Sequence, residues 1–98
     1  MANDTIVDNE VKHRFELEED GHVAELDYHV NGNRLVLIHT GVPEALGGRG
    51  LGGKLVQAAL ERARAQNMVV RPECEFARGW IEKHPDALTG VTVDISGL

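Results

Sequence analysis

The segment Gly47-Gly48-Arg49-Gly50-Leu51-Gly52-Gly53-Lys54 carries the clearest chemical signal in the chain, because five of its 11 glycines fall within seven positions there. Downstream, Leu51, Leu55, Ala58, Ala59 and Ala63 recur at three- and four-residue spacing. That spacing predicts an amphipathic helix to about Gln66, with Asn67 as a left-handed C-cap. Glycines ahead of a helix let the backbone approach a ligand, while the unpaired N–H groups and the dipole of the helix start attract an anion such as phosphate. Glycine in a first helical turn costs up to about 1 kcal/mol relative to alanine, so Gly50, Gly52 and Gly53 need a reason. Arg49 and Lys54 flank the loop in an otherwise acidic chain and are candidates to neutralise phosphate charge.

Two other residues could do chemistry. Cys74 follows a short apolar run near the predicted start of a second helix, where a thiolate is favoured and could serve as acid, base or transient nucleophile. Glu73 and Glu75 oppose that charge, and a buried packing role suits a lone cysteine equally well. His39 lies on the strand before the glycine loop, where it is a candidate base or a satisfied structural histidine. No HxxxH and no Cys/His pair has metal-ligand spacing, so no metal site is expected.

The elements that must position these residues follow from hydrophobic period. Val11, His13, Phe15 and Leu17 alternate with polar residues and predict a strand; Glu19-Asp20-Gly21 turns the chain; Ala24, Leu26, Tyr28 and Val30 predict a second strand. Asn31-Gly32 predicts a type I′ hairpin. The third strand, Leu35 to Thr40, is nearly continuous in apolar residues and is expected to be covered on both faces. A two-residue Asn31-Gly32 loop would pair His39 with Ala24 and a three-residue loop would pair it with Glu25, and the sequence leaves both open. Met68-Val69-Val70 predicts a short strand ending at Pro72. Phe76, Ala77, Trp80 and Ile81 form the inner face of a second helix that stops near His84-Pro85, with Trp80 read as core. Val91 and Ile95 could add an edge strand. The expected fold class is α/β, one mixed sheet in the order β-β-β-α-β-α with a possible final strand.

Ninety-eight residues fit one domain, 1–98, with 1–10 and 87–98 as flexible or edge segments. Sixteen acidic against ten basic residues give a net charge of −6, and no Lys/Arg cluster offers a phosphate-backbone footprint, so a nucleic-acid partner is not expected. No apolar run approaches the roughly 20 residues of a membrane span, and Met1-Ala2-Asn3-Asp4-Thr5 is too polar for a signal peptide. The single cysteine suits a reducing compartment, so a cytoplasmic protein is expected. His13, His22 and His29 read as strand-surface residues.

The loop satisfies two phosphate patterns incompletely. Gly48-x-Gly50-x-x-Gly53 matches the dinucleotide fingerprint, with Glu73 about 20 residues on. Gly48 to Lys54 follows the Walker pattern until Leu55 replaces the required Ser or Thr. A dinucleotide fold places this loop after its first strand and needs further βαβ units, whereas here three strands come first.

A third pattern covers more of the chain. His39-Thr40-Gly41-Val42-Pro43-Glu44 leading into Gly47-x-x-Gly50-x-Gly52 resembles the strand and pyrophosphate loop of the GCN5-related N-acetyltransferases, whose signature is Q/R-x-x-G-x-G/A. Cys74-x-x-Ala77-x-x-Trp80-Ile81-Glu82-Lys83 is similar to that family's later N-x-x-A-x-x-aromatic-Tyr-Glu-Lys pattern. Pro72-x-Cys74 and His84-Pro85 resemble the short single-domain members that lack the two helices usually found between the first two strands. The resemblance spans roughly Val11 to Asp86. Four positions depart from it: Gly47 replaces Gln or Arg, Gly41 stands where short relatives often carry Glu, Ile81 replaces a tyrosine that protonates the leaving thiolate, and Cys74 replaces asparagine.

The resemblance implies acetyl-CoA as cosubstrate, held by Val42, Gly48, Arg49, Gly50, Leu51, Gly52, Gly53, Lys54 and Cys74, with Cys74 and His39 as catalytic candidates. A primary amine, small or on a peptide or lysine, would attack the thioester directly, with a strand N–H near Val42 as oxyanion donor. The protein would be a monomer or homodimer. A CoA or acyl-CoA binding module without catalysis is the alternative, and a nucleotide-phosphate binder a third reading.

Overall fold

The computed structural model describes residues 5–98. Six strands form one mixed sheet whose spatial order follows the chain: β1 (Ile6–Asn9), β2 (Arg14–Glu19), β3 (His22–Asn31), β4 (Arg34–Gly41), β5 (Val69–Pro72) and β6 (Thr92–Val93). The first four run antiparallel to their neighbours, whereas β5 and β6 pair in parallel. A parallel pair needs a crossover, and helix α1 (Leu51–Gln66) and helix α2 (Glu75–Lys83) supply the two. Both crossovers step the same way across the sheet, so right-handed connection puts both helices on one face.

That face is the core. Phe15, Leu17, Ala24, Leu26, Tyr28, Leu35, Leu37 and Val70 of the sheet pack against Leu55, Val56, Ala59 and Leu60 of α1 and Ala77 and Ile81 of α2. Each fully buried leucine there contributes roughly 1.5–3 kcal/mol relative to exposure. At the β1 end, α1 is tied down by polar contacts as well. The Tyr28 hydroxyl donates to Asp8, and the Arg62 guanidinium donates to both Asp8 (2.8 Å) and the Tyr28 oxygen (2.9 Å). Burial first, then the bond to Asp8, pushes the Tyr28 phenol up to about 12.

The expected order of elements is present with one addition and three corrections. The addition is β1, which carries no alternating pattern and is held as an edge by Ile6↔Leu17 to Asn9↔Arg14 pairing. Residues 1–4 of the segment expected to be flexible or edge, and the polar start Met1 to Asp4, lie outside the described residues. The first correction concerns the strand expected from Val11. Its pairing starts at Arg14, because Glu10–His13 form the turn out of β1, where Val11 is 90% exposed and His13 takes a positive φ of 56°. Lys12 N–H donates to Asn9 Oδ1 and closes that turn.

Second, the hairpin loop is Gly32-Asn33, one residue later than expected, with Asn31 paired to Arg34. Gly32 has φ 62° while Asn33 stays at negative φ, which fits a type II′ turn with glycine in the first central position. A bulge then shifts the register between Asp27 and Tyr28, so that His39 lies opposite Asp27, neither Ala24 nor Glu25. Third, β4 is not covered on both faces. Val36 is buried on the helix-free side because its lateral neighbours His29 and Arg71 screen it, and Ile38, the extra residue of the bulge, is 48% exposed.

Candidate functional site

Pairing between β4 and β5 ends at Leu37↔Pro72, with one further bond from Cys74 N–H to the Leu37 carbonyl. Beyond it the two strands part. Strand β4 runs on through Thr40 and Gly41, and the chain then passes a 3₁₀ turn at Glu44–Leu46 into the glycine loop. The end of β4, the loop, the start of α1 and Phe76 of α2 border a cleft of about 440 Å³, walled by Thr40, Val42, Leu46, Gly48, Gly50 to Gly53 and Phe76.

The glycines divide by role. Gly48 and Gly50 take φ of 78° and 72°, and a Cβ on either would meet nothing within 4 Å. They are required by the left-handed turn and leave the cleft open. Gly50 is the N-cap of α1, with no side chain capping the helix and no acidic residue in its first turn. The first N–H groups of a helix lack partners within it, and the residues that carry them, Leu51 to Gly53, line the cleft. Gly52 and Gly53 have a different reason. A Cβ on Gly52 would stand 2.7 Å from the Phe76 ring, and one on Gly53 2.5 Å from Trp80 Nε1. These glycines let the two helices close on each other, so packing offsets their helical cost.

The flanking cations turn away from the cleft. Arg49 bonds Glu19 (2.6 Å) and Asp20 (2.9 Å) of the β2–β3 turn and thereby anchors the loop to the sheet. Lys54 lines a separate groove with Asp8, Phe15 and Arg62. Leu51 is buried, so only its backbone is available to a ligand.

Cys74 is the N-cap of α2 and is 7% exposed. Its Sγ lies 3.2 Å from the hydroxyl of Thr40, which does line the cleft. His39 is exposed and lies on the opposite, helix-free face of β4. There it joins Glu25 and Asp27 of β3 and Arg14 and Glu16 of β2. Hydrogen bonding with Asp27 raises the Glu25 carboxyl above the ordinary carboxylate range, helped by burial and opposed by Arg14 and His39. Arg14 holds Glu16 below that range by a direct hydrogen bond. Among the described residues, no three His, Cys, Asp or Glu side chains converge as metal ligands, and no helix is long and apolar enough to cross a membrane.

Sequence reasoning missed three parts of this site. The helical spacing points Phe76 inward, but it is 47% exposed and lines the cleft over Gly52. Thr40 falls on the cleft side only because the bulge resets the alternation of β4. Glu25 and Asp27 were legible as one polar strand face, but their place beside His39 depends on that same bulge.

The profile of the GCN5-related N-acetyl-transferases matches residues 14–90. The chain belongs to that family. It is also similar to the solution structure of a GCN5-like N-acetyltransferase candidate from Staphylococcus aureus, with 31% identity over 99% of this chain and 96% of that one and a TM-score of 0.71. As an acyltransferase of this family, the protein has its glycine loop, parted strands and α1 start at the places the fold brings together. The mixed sheet with two helices is the family fold in a short version.

Proposed function

We propose that the chain transfers an acetyl group from acetyl-CoA to a primary amine. One observation carries this reading: the start of α1, which no side chain caps, and the open glycines Gly48 and Gly50 line one cleft together with Thr40 at the end of β4. Such a helix start suits a pyrophosphate, because backbone donors and the helix dipole act together. The donor set fits the group without side-chain cations, since Arg49 is engaged by Glu19 and Asp20.

In this reading the amides of residues 49–53 bind the pyrophosphate, and the segment from Thr40, at the end of β4, to Val42 orients the pantetheine arm. Bound acetyl-CoA supplies an acyl thioester. A backbone N–H near Val42, just past β4, stabilises negative charge on the carbonyl oxygen. Thr40 Oγ1 connects the cleft to Cys74 Sγ, a route by which a proton can reach a departing thiolate. Ile81 is a hydrocarbon and cannot serve as acid, so the Thr40–Cys74 pair is the candidate for that role.

The test is acetyl-CoA turnover with a panel of primary amines, followed by release of free thiol, alongside calorimetry with CoA. Amine-dependent thiol release is expected. Tight CoA binding with no release for any amine would favour the non-catalytic module.

A further inference from the structure

The connection from the 3₁₀ turn at Glu44–Leu46 to α1 is Gly47-Gly48-Arg49-Gly50, so Arg49 supplies its one side chain. Both ends are fixed, because Leu46 and Leu51 are buried in the core. Between them, three glycines leave the backbone freer than any other residue type would. Arg49 restrains that freedom from outside the cleft. Its Nη1 donates to Glu19 Oε1 at 2.6 Å and to Asp20 Oδ2 at 2.9 Å. Both carboxylates belong to the turn joining β2 to β3, where Glu19 pairs with His22 and where Asp20 and Gly21 take φ of 51° and 77°. Positive φ at both central residues marks a type I′ hairpin, a tight turn whose twist matches that of its strands. The glycine connection is thus tied to a closed corner of the sheet, and Glu19 is the least exposed of the three charged side chains.

We propose that Arg49, Glu19 and Asp20 form a positioning clamp, which holds the amides of residues 49–53 in the orientation that receives the pyrophosphate of CoA. The inference rests on the CoA reading above. Charge alone predicts the opposite role for the two carboxylates. Beside a site for an anion they repel the ligand, and by occupying the guanidinium they withhold a cation that would otherwise bond phosphate. On charge alone, neutralising them tightens CoA. With a clamp, neutralising them weakens CoA, because a connection with three glycines must then be ordered by the ligand itself. The two effects differ in sign. Arg49 and Asp20 are exposed, and ion pairs at the surface add little to global stability, so the clamp acts on the loop and not on the fold.

Calorimetry of CoA binding to the full chain tests the clamp. Glu19→Gln combined with Asp20→Asn should weaken CoA by about fivefold or more, and Arg49→Ala by a similar factor, with chemical-denaturation midpoints close to wild type. Arg49→Lys keeps a cation without the planar fork and should fall between wild type and Arg49→Ala. In the Arg49→Ala background the two neutralising substitutions have nothing left to release, so CoA affinity should hold or rise. A Glu19→Gln/Asp20→Asn variant that binds CoA as tightly as wild type, or more tightly, would overturn the clamp while leaving the CoA site standing. Weakening of the same size with and without Arg49 would overturn it too, since the carboxylates would then act independently of the guanidinium. Wild-type protein that does not bind CoA overturns the CoA reading itself and the clamp with it.

Discussion

The two faces of the sheet differ in what they are made of. The helix-covered face is apolar, closely packed and ends in a cleft lined by loop glycines and by Thr40, Val42, Leu46 and Phe76. The helix-free face carries Arg14, Glu16, Glu25, Asp27 and His39, held by ion pairs and strand register. One strand, β4, belongs to both, and its bulge decides which side chains face which way. A domain this short can therefore carry a glycine-lined cleft on one side of a strand and a cluster of charged side chains on the other.

Substitutions on the two faces should separate that division. Leu26→Ala, in the core, should cost about 2–5 kcal/mol in chemical denaturation, because the cavity beneath α1 has no neighbour free to fill it. Gly53→Ala should cost about 1–2 kcal/mol: overpacking against Trp80 exceeds the roughly 1 kcal/mol gained in helix propensity. Trp80 has little room to retreat, since its ring stacks on His84 at 3.9 Å. If Gly53→Ala instead stabilises the protein, the packing role given to that glycine is wrong. Cys74→Ala should lower thiol release without changing CoA affinity, and full turnover in that variant would remove Cys74 from the chemistry.

The helix-free face should respond to pH instead. Glu25 is raised in the folded state, so its contribution favours folding in acid and is lost as pH rises through its folded value. Glu25→Gln should therefore melt above wild type at neutral pH, with the difference vanishing below the ordinary carboxylate range. Glu16 has the opposite sign: its folded value is depressed, so its stabilisation is present at neutrality and fades as pH falls through that value. The smallest effect is expected at Ile38, where Thr should change stability by less than about 0.5 kcal/mol because the side chain is half exposed.

Much of this fold was legible in the sequence. The period of α1, its Asn67 cap, the stop at His84-Pro85 and the antiparallel start all follow from local chemistry, and the structure has them. What was not legible depends on contacts between distant residues. Nothing in Ile6–Asn9 announces a strand until β2 is there to pair with it. The bulge at Ile38 inserts one residue and moves His39 opposite Asp27, which no reading of the hairpin alone could supply. The glycine loop was visible as a device, but its five glycines looked alike in sequence. Only the arrival of Phe76 and Trp80 from α2 separates the two that pack from the two that shape the turn. Adjacency in sequence makes Arg49 and Lys54 natural phosphate partners, whereas Arg49 is taken by two carboxylates 30 and 29 positions away in sequence.

The central claim is that the helix-covered cleft is built for coenzyme A. Competition calorimetry on the full chain with CoA, ATP and NAD tests it most directly. Saturable CoA binding that ATP and NAD displace poorly is the expected result. Preference for ATP or NAD over CoA would contradict the account.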